Sequence, residues 1–498
     1  MKSSRPLSNN PSLSQVDKFR AGAQRLPLHP AESKLLTVLL VHLCLLPWAI
    51  GTMYLWTQLA SLLLAAIGFG LANWPRDYQA QFTGGPVFRM APWSKLIRFP
   101  FFWLGLALLT YIAIQGLNPA WSFETNATHW WLRRIKNISW LPSGIDSPFV
   151  RFNAWRALII YSSVWLVACS IWIGLTRRLS IQYLFMGLAI NGFVLAIIAA
   201  AQRFAGNGKI LWIVDPPQGA GIFASFIYKN HAGAYLGLLA TVAFSMAYWF
   251  YDRGVRRLQK SNPSALFAFM GLFLGLMVVF SFSRAAAVLL LGYLGVACVA
   301  LVLAHRRKAP GTGSPIVIAT LLLGFAGFSY VALQSFEIDR VVRRFAEFSE
   351  ERFTSTHAGD RKIVRAAASE MLSENWLKGT GAGSFRYYFP EYAKHYPTIY
   401  HEGKSFWEHA HCDWLEFPIE LGLIGTLLLL ACAGSIGIIL VRNNFWNHQL
   451  AILLLLGGAM TLAHAWVEFV FQNPAVLLTW VILPVCLARW LELVNEQR

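Results

Sequence analysis

The stretch from Ala265 to Lys308 reads ALFAFMGLFLGLMVVFSFSRAAAVLLLGYLGVACVALVLAHRRK: an apolar run, a break of Ser281-Phe282-Ser283-Arg284, a second apolar run and a basic end. An α-helix rises about 1.5 Å per residue, so roughly twenty apolar residues cross the ~30 Å hydrocarbon core of a bilayer. The two runs therefore predict a pair of antiparallel membrane helices. Their tight turn lies at one face and Arg306, Arg307 and Lys308 lie at the other.

Similar runs begin near Leu35, Leu55, Phe99, Ala154, Leu179, Ala232, Pro315, Trp414, Gln449 and Ala475. With Ala265 and Ala285 they predict an all-α integral membrane protein of about twelve transmembrane helices. Composition points the same way: the 498 residues are 56% hydrophobic and 13% charged, whereas soluble domains carry roughly a quarter charged residues. The formal charge of +18 would suggest a nucleic-acid partner in a soluble protein. Here the basic residues instead fall in alternate loops: Arg76, Arg89, Lys95 and Arg98, then Arg177 and Arg178, then Arg253, Arg256, Arg257 and Lys260, then Arg306 to Lys308. The positive-inside rule places those loops and both termini in the cytoplasm, and no nucleic acid is implied.

The expected layout is a disordered cytoplasmic tail over residues 1–34, transmembrane helices 1–9 over 35–333, an extracytoplasmic loop domain over 334–412, and transmembrane helices 10–12 with a short cytoplasmic tail over 413–498. Five cysteines lie inside apolar runs and Cys412 lies at a run's edge, so no disulfide framework is implied. The opposite face receives a Trp-rich loop from Asn118 to Asn153, a loop from Gln202 to Asn230, the turn Ser281–Arg284 and the long segment Gln334–His411. In the long segment, Asp360–Trp376 has apolar residues at helical spacing and is followed by the glycine-rich GTGAGSF. It predicts an amphipathic helix over the bundle mouth.

Four polar clusters map to that same face. In HAHCDWLEFPIELGLIG, His409 to Gly425, His411 precedes the tenth span, and Asp413, Glu416 and Glu420 share one helical face. An interfacial histidine with helix-capping carboxylates would explain the pattern too, although Glu420 lies deep for that role. Arg284 sits at a tight turn where the rule sorting basic residues inward is broken; a snorkelling flank residue is the other reading. Lys229, Asn230 and His231 open the sixth span, and His464 and Glu468 lie one turn apart at the end of the eleventh. That last pair would satisfy itself inside a bundle, or would face a substrate. The long loop adds Arg340, Arg343, Arg344, Arg352, Arg361, Arg365 and Arg386, whose planar forks suit phosphate oxygens, anionic lipid heads or plain solvent. The outer segments contain no Asp-x-Asp, HExxH, Walker or CxxC motif, which disfavours metal- or nucleotide-dependent transfer.

From roughly Gly219 to Pro474 the chain resembles the O-antigen ligase and polymerase superfamily of bacterial membrane glycosyltransferases. The ligase motif of that family is matched by His411, Gly422 and Gly425, with Cys412 where Asn, Ser or Gln is usual. FSRAA resembles the family's Ser-Arg-Gly turn, with Arg284 on the arginine and Ala285 in place of glycine. GDRKIVRAAASEMLSENWLKGTGAGSFRYYFPEY is similar to the arginine, amphipathic helix, glycine turn and Pro-x-Tyr of the family, with Arg361 on the arginine. KNHAGAYL resembles an exopolysaccharide-type stretch with Lys229 in place of Arg, and a further family arginine falls at Gln218.

The resemblance implies transfer of a glycan from a polyprenyl diphosphate to an acceptor sugar hydroxyl at the outer face of the bacterial inner membrane. Arg284, with Arg361 or Lys229, would hold the diphosphate, and His411 would orient or deprotonate the hydroxyl. Asn230, His231, Glu416, His464 and Glu468 would complete the substrate site. Inversion at the anomeric carbon, with no metal or other cofactor, is the implied mechanism. The acceptor would be lipid A core for a ligase or a growing polysaccharide for a polymerase, and spacing does not separate the two. A polytopic transporter or flippase is the alternative of another class; it calls for repeat symmetry and charges near mid-bilayer, neither of which stands out.

Overall fold

A computed structural model describes residues 27–79, 82, 87–127, 129–206, 208–217, 221–258, 261–308, 327, 330, 357–400 and 407–495. The chain is a predominantly helical multi-pass membrane protein. Ten described helices are long and apolar enough to cross a bilayer. They are α1 (Pro30–Trp48), α2 (Leu55–Asn73), α4 (Pro100–Leu117, preceded by the short α3 at Pro92–Ile97), α5 (Ala154–Gly174), α6 (Arg178–Ala205), α7 (Lys229–Arg256), α9 (Arg284–Lys308), α12 (Asp413–Arg442), α13 (Gln449–Val467) and α14 (Pro474–Asn495). The apolar α8 (Ser264–Phe280) is shorter, at 17 residues. Apart from Gly327 and Tyr330, the run expected from Pro315 lies outside the described residues, as do residues 1–26, Gln218, Lys260, Arg340, Arg343, Arg344 and Arg352.

Helices are the natural solution in hydrocarbon because every backbone donor and acceptor is satisfied within the segment. The bundle packs around α7, which is 83% buried over its most apolar window and touches α6, α8, α9 and α13. Small residues permit the close approaches that apolar burial alone does not drive in lipid. A Cβ added to Gly233 of α7 would lie 2.9 Å from the Cβ atoms of Ser283 and Ala286 and 3.2 Å from Ser281 Oγ. The turn into α9 is thereby seated on the first turns of α7.

The Trp-rich loop expected between Asn118 and Asn153 is ordered as a three-stranded sheet, an addition to the all-α reading. Strand β3 (Pro119–Thr125) pairs antiparallel with β4 (Trp130–Arg134) and parallel with β5 (Gly144–Asp146). A separate two-stranded ribbon, β1 (Arg76–Tyr78) with β2 (Phe88–Met90), lies between α2 and α3. Alternate residues Trp121, Phe123, Trp130 and Leu132 form one face of the larger sheet, which packs on Tyr387 and Tyr388.

Those tyrosines belong to α11 (Phe385–Ala393), the second helix of the segment that follows the spans. The first, α10 (His357–Asn375), buries Val364, Ala367, Ala368 and Met371 against Phe385, Phe389 and Ile419. The 3–4 spacing of these residues is one helical stripe, and it fixes α10 across the start of α12.

Candidate functional site

The entry into α12 is shaped by glycine. Gly422, inside that helix, has φ 62° and ψ −172°, a region open essentially to glycine alone. There the glycine-rich turn inserts against the helix. Thr380 N donates to Ile419 O at 2.8 Å, Gly381 N to Glu420 O at 2.9 Å and Leu423 N to Trp376 O at 2.7 Å. The Glu420 carboxylate accepts from Gly383 N (2.9 Å) and Phe385 N (3.0 Å), which caps the start of α11. Glu420 is thus committed to holding this turn. Glu416 accepts from Ala410 N at 2.8 Å and pairs with His409 Nδ1 at 2.7 Å, so this expected substrate contact faces the chain itself. Together these bonds fix residues 409–411 at the head of α12.

His411 has φ 50°, an uncommon conformation for a non-glycine residue that costs about 1–3 kcal/mol and persists only when its surroundings enforce it. Beside the bonds to residues 409 and 410, Arg365 of α10 holds it, its Nη2 donating to His411 O at 3.0 Å. The imidazole meets the Phe469 ring edge to face at 4.8 Å and the Trp407 ring at 5.3 Å. Its Nδ1 lies 3.1 Å from Glu468 Oε2.

Glu468 is the hub. Helix α13 ends at Val467, and Glu468 is extended (φ −149°, ψ 172°), so its carboxylate leaves the helix axis and enters a polar nest. Its Oε1 accepts from Asn230 Nδ2 and from Arg361 Nη1, each at 2.6 Å, and the Tyr228 hydroxyl donates at 3.3 Å to Oε2. Arg361 Nη2 also donates to the Tyr228 hydroxyl at 3.2 Å. The carboxylate is only 3% exposed, while Arg361 is 33% exposed and His411 15%. His464 and Glu468, one turn apart in sequence, share no side-chain hydrogen bond; the helix ends between them. His464 Nε2 is buried without a hydrogen-bond partner among the described residues.

Phe469 ties the remaining rings together. Tyr228 lies nearly parallel to it at 5.1 Å and His409 at 4.4 Å, with His231 edge-on at 5.0 Å. His231 Nε2 is 3.1 Å from Phe469 O. Lys229 begins α7 beside this cluster, its backbone N donating to Gly221 O at 2.7 Å. Arg284, exposed as the first residue of α9, stands on the turn seated against Gly233, two positions beyond His231. The structure therefore joins His411, Glu468, Asn230 and Arg361 directly, brings His231 to them through Phe469, and sets Lys229 and Arg284 on adjoining turns.

Burial holds His411 below its ordinary pKa, although the Glu468 hydrogen bond and charge pull it upward. Burial would raise Glu468, but the His411 hydrogen bond and the Arg361 charge outweigh it and keep that carboxyl below its ordinary value. Burial takes His409 down to about 3 and pushes the Tyr228 phenol up. Near neutral pH the result is an ionised Glu468 facing a neutral imidazole. The proton then belongs on Nδ1, toward the carboxylate, and the lone pair on Nε2. No group of three His, Cys, Asp or Glu residues arranged to hold a metal ion occurs among the described residues.

The sequence reading left Tyr228 and Phe469 without roles in the site and gave Arg365 only as one of the loop arginines suited to phosphate. Arg365 carried a signal, since it follows Arg361 by one helical turn. Tyr228 and Phe469 adjoin chosen residues and carried none beyond adjacency.

Residues 268–430 match the model of the O-antigen ligase family, a span that contains Arg284, Arg361 and His411 but neither Asn230 nor Glu468. Comparison with curated proteins finds no match.

Proposed function

We propose, from the match of residues 268–430 to the O-antigen ligase family, that this chain transfers a glycan from a polyprenyl diphosphate to an acceptor sugar hydroxyl. The observation that carries the proposal is the Glu468–His411 pair beside the half-exposed Arg361. It supplies a neutral base, a carboxylate that stabilises the base once protonated, and a guanidinium for a phosphate oxygen. His411 Nε2 takes the proton of the hydroxyl as the oxygen attacks the anomeric carbon. The bond from that carbon to the phosphate oxygen breaks, and its electron pair departs on the diphosphate. Arg284, Arg361 and Lys229 hold that charge. Attack opposite the leaving group inverts the anomeric centre.

The site lies at the end of the bundle opposite the basic loops, which by the positive-inside rule is the outer face of the bacterial inner membrane, with both termini in the cytoplasm. The grouping of ionisable residues at one end of the spans favours transfer over transport, for which mid-bilayer sites are usual. The acceptor is a lipid A core sugar if the protein is a ligase and a growing polysaccharide if it is a polymerase. Full-length protein in lipid nanodiscs, given a lipid-linked glycan and each acceptor in turn, tests the proposal. Transfer to one of them that survives chelator and fails in His411→Ala is the expected result. No transfer to either, or turnover restored only by a divalent cation, would overturn the reaction or its metal independence respectively.

A further inference from the structure

Glu468 divides one negative charge between two partners that have different reasons to hold it. Arg361 binds Oε1 and is the solvent-reachable member of the cluster; His411 faces Oε2 and is nearly enclosed. An incoming diphosphate presents oxygens that compete with Glu468 for the Arg361 fork, because planar guanidinium binds phosphate in paired, charge-assisted hydrogen bonds. Departure of Arg361 would not release the carboxylate. Asn230 Nδ2 still holds Oε1 at 2.6 Å, and the Tyr228 hydroxyl remains beside both oxygens.

Resting on the donor assignment above, we propose that Glu468 is a positioning residue that couples donor binding to His411: diphosphate takes Arg361, and the carboxylate passes wholly to the imidazole. In the donor-free arrangement the Arg361 charge opposes protonation of His411 and Glu468 favours it. The other titratable groups around the pair are Arg365 from α10, Tyr228 and His231 from the start of α7, His409, Asp413 and Glu416 at the head of α12, and His464 from α13. Unlike these, Arg361 both forms an ion pair with Glu468 and is open to a ligand. Engagement of Arg361 by phosphate strengthens the base when a donor is present. It then accepts the hydroxyl proton as the new glycosidic bond forms, and the imidazolium Nδ1–H remains on Glu468. When the diphosphate product leaves, Arg361 returns to Oε1 and the proton is expelled from His411 to solvent. The resting enzyme thus keeps a weak base, and the loaded enzyme a strong one.

The test follows the His411 ring by NMR in full-length protein carrying labelled histidine in nanodiscs, with the signal assigned from His411→Gln. Farnesyl diphosphate is the probe and farnesol the control. Binding of the diphosphate is expected to raise the His411 pKa in the wild type and to leave it unmoved in Glu468→Gln. In Glu468→Asp, which keeps the charge, the rise should persist. In Arg361→Gln the pKa should start above the wild-type value and not respond. Diphosphate binding without a rise, or an equal rise in Glu468→Gln from the phosphate charge acting directly, would overturn the coupling while leaving the transferase proposal standing. Failure of the diphosphate to bind at all would overturn both.

Discussion

Arg365 holds His411 through the backbone: its guanidinium donates to the His411 carbonyl at 3.0 Å, at a residue whose φ is 50°. A cation on one helix therefore sets the direction of an imidazole outside that helix. Arg365→Met is expected to lower turnover by roughly tenfold or more, since small misplacements of a reacting group carry penalties of that order. Donor binding should be nearly unchanged. Equal losses in binding and turnover would show that Arg365 acts on the donor instead.

The pH dependence follows from the lowered pKa of His411. A base is active when deprotonated, so kcat/KM should stay high through neutral pH and fall only below the ordinary histidine range near 6.5. Glu468 raises the proton affinity of His411, so Glu468→Gln should move the acidic limb further down while lowering the plateau. A limb that moves up in this variant would contradict the assignment of proton and lone pair.

Arg284, on the turn packed against α7, tests the proposed diphosphate contact separately. Arg284→Lys keeps the charge and loses the paired fork, so transfer should fall markedly with membrane insertion intact. Near-normal activity in Arg284→Ala would reduce this residue to a snorkelling flank.

Gly422→Ala probes the fold under the site. A Cβ there would lie 2.4 Å from Gly379 N and 2.5 Å from the Lys378 carbonyl carbon, on a backbone that alanine avoids. Loss of about 1–3 kcal/mol or more is expected, read as a lower melting temperature in detergent. An unchanged melting curve would mean that the turn and α12 separate without cost.

Topology is checked by cysteine labelling in intact cells. Trp140, 74% exposed beside the sheet, should be reachable by an impermeant reagent as Trp140→Cys. Asn444→Cys, at the opposite end of α12, should be spared. The reverse pattern would place the site in the cytoplasm.

The spans were legible because hydrocarbon thickness dictates how long an apolar run must be. Runs read from Leu55, Ala154 and Gln449 coincide with the first residues of α2, α5 and α13, and those from Leu179 and Trp414 fall one residue inside α6 and α12. The small sheet was not legible, since its strands are short and its tryptophans also suit a membrane interface. In the site, residue types were readable but partners were not. Asp413 and Glu416 looked like the acids nearest His411, yet Asp413 accepts from Phe471 N at 2.8 Å and Glu416 serves His409. The acid that meets His411 lies 57 residues on, a pairing set by which helices are neighbours, which periodicity does not encode. Glu468 reaches it because α13 stops one residue earlier.

The placement of Glu468 also bears on how this protein could be recombined. A chimaera joined just after residue 430, where the family match ends, would inherit His411 from one parent and its Glu468 partner from another. Arg361 would travel with His411, while Asn230, which bonds Glu468, lies upstream of the match. Exchange of glycan specificity between relatives should therefore succeed when crossovers keep residues 228–231, 361–365, 409–416 and 468–469 from a single parent, and yield folded but idle membrane proteins when they split them.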